Sequence, residues 1–392
     1  MVRLDMNRRD FMTNIWNGII GGTIASGLCL DPKLILNALT SGPEVPGLLS
    51  ESKGIRYRKF GNTGLEVTEV GIGINSAVDP SVILHALDLG INYIDTAAVY
   101  LGGNNEKMLG NLLGARRSKA ILATKVLYGD LEKMRKTVER SLKLLKTDYI
   151  DVLMLHALQI EEEVEDEDAQ KLMSKLKKQG KIRFAGVSTH SNMPIVIRAA
   201  AKSKFYDMVL TAYNFQASRD LKDAIAEAHK AGLAVVAMKV MAGGYKASGA
   251  AALNPFQAAL KWVLQNNGIA TAITSMKSIK QVDQNFKVMG SKMTFSDRKA
   301  LGRYGDEIAP YHCRMCGACG GTCSEGVRHA DILRFLMYAE GYGEPALAQQ
   351  EYALLRKGED ASCCLSCRKC TVRCSNGLDV RTRMLLAHKI LA

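Results

Sequence analysis

The feature that most restricts the fold is a repeated order of patterns. From Arg56 onward an apolar run is followed by a helical pattern, eight times over. The runs are VGIGIN from Val70, INYIDTA from Ile91, KAILATKV from Lys119 and YIDVLMLHA from Tyr149. They continue with IRFAGVST from Ile182, MVLTAYNF from Met208, LAVVAMKV from Leu233 and IATAITSM from Ile269. Amphipathic stretches such as LEKMRKTVERSLKLLK and LKDAIAEAHKAG lie between them. Strands that are nearly continuous apolar runs belong to sheets buried on both faces. Eight such units in roughly 220 residues predict an α/β fold, a closed (β/α)8 TIM barrel, over a doubly wound sheet. No glycine-rich dinucleotide fingerprint follows the first run. Ahead of it, RYRKFGNTGLEVTEVG reads as a hairpin turning at Asn62-Thr63-Gly64, placed to plug the N-terminal face of the barrel.

In such a barrel the C-terminal ends of the strands build the active site. Asp95 ends the second strand, Tyr100 follows in the loop, Lys125 ends the third and His156 ends the fourth. A lysine nearly buried at a strand end needs a partner, and Asp95 can supply it. Its ammonium would then lower the pKa of Tyr100, preparing the phenol to protonate a carbonyl oxygen as hydride reaches the carbon. His156 is placed to orient that carbonyl or relay the proton.

YIDTAAVYLGGNNEKMLGNLL resembles the strand-2 signature of the aldo-keto reductase family. The resemblance spans residues 56–290 and puts Asp95, Tyr100, Lys125 and His156 on the family's catalytic tetrad. It implies a nicotinamide cofactor across the barrel mouth, NADP or NAD. It also implies that Ser188, in GVSTHS, holds the carboxamide, that Asn214 contacts the cofactor where the family often has Gln or Tyr, and that Tyr213 is the stacking partner for the ring. SMKSIKQVDQN is similar to the family's segment for the adenosine phosphates, with Ser275, Lys277, Ser278, Gln281, Gln284 and Asn285 on it. Thr189 stands where the family has Asn, and Gln281 where it often has Arg, which leaves NADP against NAD open.

Of ten cysteines, Cys29 stands alone and nine follow residue 312. A disulfide-stapled fold would spread them through the core. CRMCGACGGTC places Cys313, Cys316, Cys319 and Cys323 as C-x2-C-x2-C-x3-C, and CLSCRKCTVRC repeats this with Cys364, Cys367, Cys370 and Cys374. This is the spacing of bacterial two-cluster ferredoxins, in which the fourth cysteine ligates the other cluster. The expected sets for two [4Fe-4S] clusters are therefore Cys313, Cys316, Cys319 and Cys374, and Cys364, Cys367, Cys370 and Cys323. Structural zinc is the alternative, since paired C-x2-C also serves it. Ser324 and Ser375 replace the usual proline, and Cys363 is left over. The spacer HADILRFLMYAEGYGEPALAQQEYALLRK reads as two helices and LDVRTRMLLAHKIL as a third. The whole resembles helical ferredoxin domains and a subgroup of aldo-keto reductases that end in one.

At the N-terminus, NRRDFMTNIWNGIIGG has a charged start and an apolar continuation. Arg8-Arg9 with Phe11 resembles a twin-arginine export signal, which implies the export machinery as a partner and a periplasmic or exported location, with the cytoplasm otherwise. The resulting organisation is a signal segment over 1–30, a linker over 31–55, the barrel over 56–290 and the helical dicluster domain over 291–392. A net charge of +13 attracts anions in general. No Arg-rich helix, zinc-finger spacing or RNA-binding motif accompanies it, so nucleic acid is not an expected partner. The acidic stretch EEEVEDEDAQ, residues 161–170, reads as a solvated loop and helix start. The expected activity is NAD(P)-dependent interconversion of a small-molecule carbonyl and an alcohol. The clusters would pass electrons to an external carrier or serve the structure alone. An electron-transfer protein whose barrel is a platform for a partner is the competing reading.

Overall fold

The structure is a computed structural model that describes residues 54–246 and 255–392. The signal and linker expected before residue 54 lie outside the described residues. Among the described residues no helix is long and apolar enough to cross a membrane.

A hairpin of β1 (Tyr57–Lys59) and β2 (Glu66–Thr68) opens the fold. Eight parallel strands follow: β3 (Val70–Gly73), β4 (Tyr93–Asp95), β5 (Ile121–Leu127), β6 (Ile150–His156), β7 (Ile182–Thr189), β8 (Met208–Ala212), β9 (Ala234–Met238) and β10 (Thr271–Thr274). They close in chain order, with β10 pairing β3. The barrel helices are α1 (Pro80–Asp88), α2 (Asn104–Leu113), α3 (Leu131–Leu145), α4 (Glu161–Glu165), α5 (Glu167–Lys178), α6 (Met193–Ser203), α7 (Arg219–Lys230), α8 (Pro255–Leu264) and α9 (Ile279–Phe286). Their starts follow local chemistry. Pro80 opens α1, and Asp130, Asp166 and Ser218 accept hydrogen bonds from first-turn amides of α3, α5 and α7.

Strand alternation sorts the side chains into two cores. Tyr93, Ala123, Val152, Met154, Met208, Leu210, Ala234 and Val236 fill the barrel interior. Their neighbours face the surrounding helices. The hairpin closes the N-terminal end as expected: Phe60 is fully buried in the interior cluster, 5.6 Å from the Tyr93 ring. A fully buried phenylalanine contributes about 1.5–3 kcal/mol.

Five helices complete the chain: α10 (Phe295–Ile308), α11 (His329–Glu340), α12 (Pro345–Ala353), α13 (Cys363–Ser366) and α14 (Val380–Leu391). The spacer helices and the last helix match the sequence pattern. The described residues pack as one compact unit, so the chain crosses residue 290 without a break in packing. The core of the C-terminal helices includes Ala242 and Tyr245, which come from the loop after β9. The approach is close: a Cβ on Gly341 would lie 2.0 Å from the Gly243 carbonyl oxygen, so only glycine fits there.

Candidate functional site

Alternation places the expected site residues on one rim. Tyr93 and Ala123 point inward, so Asp95 and Lys125, each two residues on, do the same at the C-terminal end. Met154 points inward, and His156 follows it two residues later, opposite Leu127. Tyr100 sits on a tight turn in which Leu101, Gly102 and Gly103 all have positive φ, at 48°, 64° and 94°. Leucine in that region costs about 1–2 kcal/mol, a strain found where geometry serves a site.

Lys125 Nζ donates to Asp95 Oδ1 at 2.5 Å and to the Thr96 carbonyl at 2.7 Å. It lies 5.4 Å from the centre of the Tyr100 ring, and that ring meets His156 edge-on at 5.9 Å. Burial raises the Asp95 carboxyl, opposed by Lys125. It likewise lowers the Lys125 amine, opposed by Asp95. His156 is held well below the ordinary histidine value by burial and then by Lys125, Arg334 and Lys239, so it is neutral at neutral pH. The expected lowering of the Tyr100 pKa is not what the structure produces. Burial, then the charge of Asp95, pushes the phenol well above its usual value, and the opposing cation is Arg334. The physical reason is that burial strips water from the phenolate while Asp95 adds a like charge, and together these outweigh the opposing cation.

Ser188 and Asn214 reach the same end of the barrel. Ser188 Oγ accepts from the Ala157 amide at 2.9 Å, and Asn214 Nδ2 donates to the Lys239 carbonyl at 3.2 Å. Tyr213 does not join them, which corrects the stacking expectation. Counted from Met208 and Leu210, both inward, position 213 faces outward. Its ring packs 5.1 Å from Trp262, and its hydroxyl accepts from Asn266 Nδ2 at 3.0 Å.

The segment after β10 forms a loop and the start of α9. Ser275 Oγ donates to Asn75 Oδ1, Ser278 caps α9, and Gln281 Oε1 accepts from the Lys277 amide. Asn285 is buried and bonds Thr274 Oγ1, while Gln284 gives its carbonyl to Gln257. Lys277 Nζ is engaged, pairing with Glu344 from the turn after α11.

Sequence reasoning missed a second set of groups at the mouth. Helix α11 brings Arg334 and Tyr338, Lys239 directly follows β9, and His190 follows β7. Lys239 Nζ and Arg334 Nη1 each donate to the Tyr338 hydroxyl at 3.2 Å. His190 is buried, with its ring 6.1 Å from His156. Asp95 Oδ2, His156 Nδ1, His190 Nδ1 and Arg334 Nε are buried without a hydrogen-bond partner among the described residues. One signal was available for Lys239: VVAMK ends a strand in lysine, as LATK does.

Among the described residues, the nine cysteines form no disulfide. Burial pushes the Cys313 thiol up to about 12, and the charges acting on it are those of Cys319, Cys316 and Cys374. Cys364 is raised to about 11 by burial and then by Cys323, Cys370, Cys367 and Cys363. Each group thus contains the fourth cysteine of the other motif. A cavity is lined by Cys323, Cys363, Cys364, Cys367 and Cys370. Among the described residues, no three His, Cys, Asp or Glu side chains close on a single metal-ion position.

Residues 75–250 match the model of the Aldo/keto reductase family. The uncharacterized oxidoreductase YqkF of Bacillus subtilis is 37% identical over 167 residues, 38% of this chain and 53% of that protein. The match therefore spans about half the length of that relative. L-galactose dehydrogenase of Arabidopsis thaliana is 28% identical over 281 residues, 59% of this chain and 87% of that protein. Among solved structures, the holo form of an aldo-keto reductase from Bacillus halodurans superposes with a TM-score of 0.55 at 25% identity. It covers 64% of this chain and 96% of its own.

Proposed function

We propose that the chain is an oxidoreductase of the aldo/keto reductase kind, whose family model matches residues 75–250, and that it interconverts a carbonyl and an alcohol with NADP or NAD. The observation that carries this reading is the convergence of Asp95, Tyr100, Lys125 and His156 on one rim. The orphaned polar atoms of His156 and His190 fit a site that receives a polar ligand. Ser188, Asn214 and the Ser275–Gln281 segment would hold the nicotinamide cofactor, which when bound supplies or accepts the hydride. The protein's own residues handle the proton. Tyr100 gives its phenolic proton to the carbonyl oxygen as charge develops there, and takes it back in the alcohol direction. Neutral His156 orients that oxygen by hydrogen bonding without adding charge. Lys125, fixed by Asp95 and Thr96, holds a cation beside the tyrosine ring. The test is oxidation of NADPH and NADH with small aldehydes, alongside nucleotide binding. No turnover and no nucleotide binding together overturn the reading.

We also propose that Cys313, Cys316, Cys319 and Cys374 hold one [4Fe-4S] cluster and Cys364, Cys367, Cys370 and Cys323 a second. The crossed grouping of the thiols supports this. Such clusters supply one-electron transfer, which would link the protein to an external carrier. Iron and sulfide analysis with electron paramagnetic resonance tests it. Cys374→Ser and Cys323→Ser should each remove one cluster, and stoichiometric zinc in place of iron overturns it. Export through the twin-arginine route, directed by Arg8-Arg9, is a third proposal. Retention of an Arg8→Lys, Arg9→Lys double variant in the cytoplasm is the expected result, and unchanged export rejects it.

A further inference from the structure

The second set of groups at the mouth has the chemistry of an anion clamp. Lys239 follows Met238, the last inward residue of β9, and its φ of 55° breaks the strand there. Its backbone is held by Asn214. Its ammonium lies 4.9 Å from the Tyr338 ring and donates to the phenol oxygen. Among the described residues it makes no ion pair. By contrast, Lys125 is paired at 2.5 Å with Asp95. Arg334 spends one nitrogen on Asp331 at 2.8 Å and another on Tyr338, and its Nε is buried without a partner. Asp331 is also paired with Arg328 at 2.6 Å, so it does not neutralise Arg334 alone. Glu351 reaches Tyr100 and Tyr338 only through space.

Both cations belong to the reaction site. Lys239 and Arg334 are among the charges that keep His156 and His190 unprotonated, and Arg334 acts on Tyr100. Lys239 is half-buried, and an ammonium drawn partly out of water with a phenol as its one side-chain partner among the described residues gains from meeting an anion. Guanidinium and carboxylate geometries match, which favours a planar anion over a point charge.

We propose that Lys239 and Arg334, bridged by Tyr338, bind the carboxylate of the substrate, so that the carbonyl compound reduced at Tyr100 is an oxo acid. This rests on reading the same mouth as a carbonyl-reducing site. In the reduction, the C–H bond broken on the reduced nicotinamide becomes a C–H bond at the carbonyl carbon. The carbonyl π pair moves to oxygen and takes the Tyr100 proton. The substrate is reduced, the nicotinamide oxidised, and the carboxylate left unchanged. Helix α11 then supplies half of the substrate pocket, which gives the C-terminal helices a role in specificity apart from any cluster.

The test compares pyruvate with methyl pyruvate, which share a carbonyl and differ by one charge, on the full chain with its metal content intact. The wild type should prefer pyruvate in kcat/KM. Lys239→Met and Arg334→Met should each cut the pyruvate-to-ester ratio by about 10- to 100-fold, the range for hydrogen bonds to charged groups. Arg334→Lys should restore part of the ratio and guards against misfolding of the methionine variant. A wild-type preference for the ester, or ratios unmoved in both variants, overturns the proposal. Weakened NADPH and NADH binding with the ratio unchanged also overturns it, assigning the cations to cofactor phosphates. Oxalate binding to the wild type, followed by calorimetry, separates the two levels. Nucleotide binding without oxalate binding rejects the clamp alone, whereas oxalate binding without nucleotide binding or turnover supports the clamp and rejects the oxidoreductase reading.

Discussion

Two strand ends of the barrel carry the same residue in different circumstances. Lys125 closes β5 and is locked between Asp95 and the Thr96 carbonyl. Lys239 lies just beyond β9, and among the described residues its ammonium meets the Tyr338 phenol alone, on a helix nearly a hundred residues later. The first lysine is satisfied from within the barrel and orders its surroundings. The second is satisfied from the C-terminal helices and retains capacity to bind. Part of the mouth is thus finished by the barrel, and part exists only because α11 docks on it.

The barrel half should break most severely at its proton donor. Tyr100→Phe leaves the ring and removes the hydroxyl, so kcat should fall by about 100- to 10,000-fold, the share of a positioned acid. Steady-state kinetics with a small aldehyde would show it. A fall of only a few-fold would move the acid role elsewhere, with Tyr338 as the next candidate. Burial alone would raise that phenol, but Lys239 and Arg334 outweigh it and hold it below the usual value.

Lys125→Met tests whether the first lysine is a structural partner as well as an electrostatic one. It leaves a buried Asp95 without its cation, and breaking a buried pair this way costs about 3–5 kcal/mol. Denaturant unfolding should show that loss. Lys125→Met with Asp95→Leu should recover much of the stability while staying inactive. Lys239→Met, which strands no carboxylate, should cost far less stability than Lys125→Met.

These contrasts explain what the sequence made legible. Strand periodicity and strand-end position are local properties, so the eight strands and Asp95, Lys125 and His156 could be read residue by residue. Tyr213 was misplaced because proximity to a strand end was used without counting alternation from Met208. The direction of the Tyr100 shift was missed because the cost of burying a phenolate was not weighed against the neighbouring ammonium. Arg334 and Tyr338 were illegible for a deeper reason. ILRFLMYAE has an ordinary apolar helix pattern, and only the docking of α11 on the loop at Gly243 turns those two side chains to the mouth.

Acid should strain both halves together. His156 and His190 are held well below the ordinary value, first by burial and then by the site's cations. The unfolded chain takes up those protons below a pH of about 6.5 and the folded chain does not. Stability is therefore full above that pH and falls as pH drops toward the folded values, by up to about 1.4 kcal/mol per histidine for each unit. Thermal melts at pH 7.5 and 5.5 should show the loss, and His190→Asn should flatten it. An unchanged slope in that variant would mean that His190 titrates normally and that the mouth is wetter than the packing indicates.

The smallest effect should come from the clasp between the two halves. Lys277, on the segment resembling the phosphate site, is paired with Glu344 beyond α11. Both side chains are partly exposed, and such pairs contribute about 0–1 kcal/mol. Glu344→Gln should therefore leave folding nearly unchanged. What it alters is competition: a cofactor phosphate reaching for Lys277 must displace a carboxylate, and without it the ammonium keeps the uncharged Tyr342 carbonyl at 3.3 Å. Nucleotide should bind up to about five-fold more tightly in the variant, with the gain shrinking as salt screens the pair. Weaker binding would show instead that Glu344 positions Lys277 for the phosphate, and the C-terminal turn would then assist cofactor capture where this geometry has it compete.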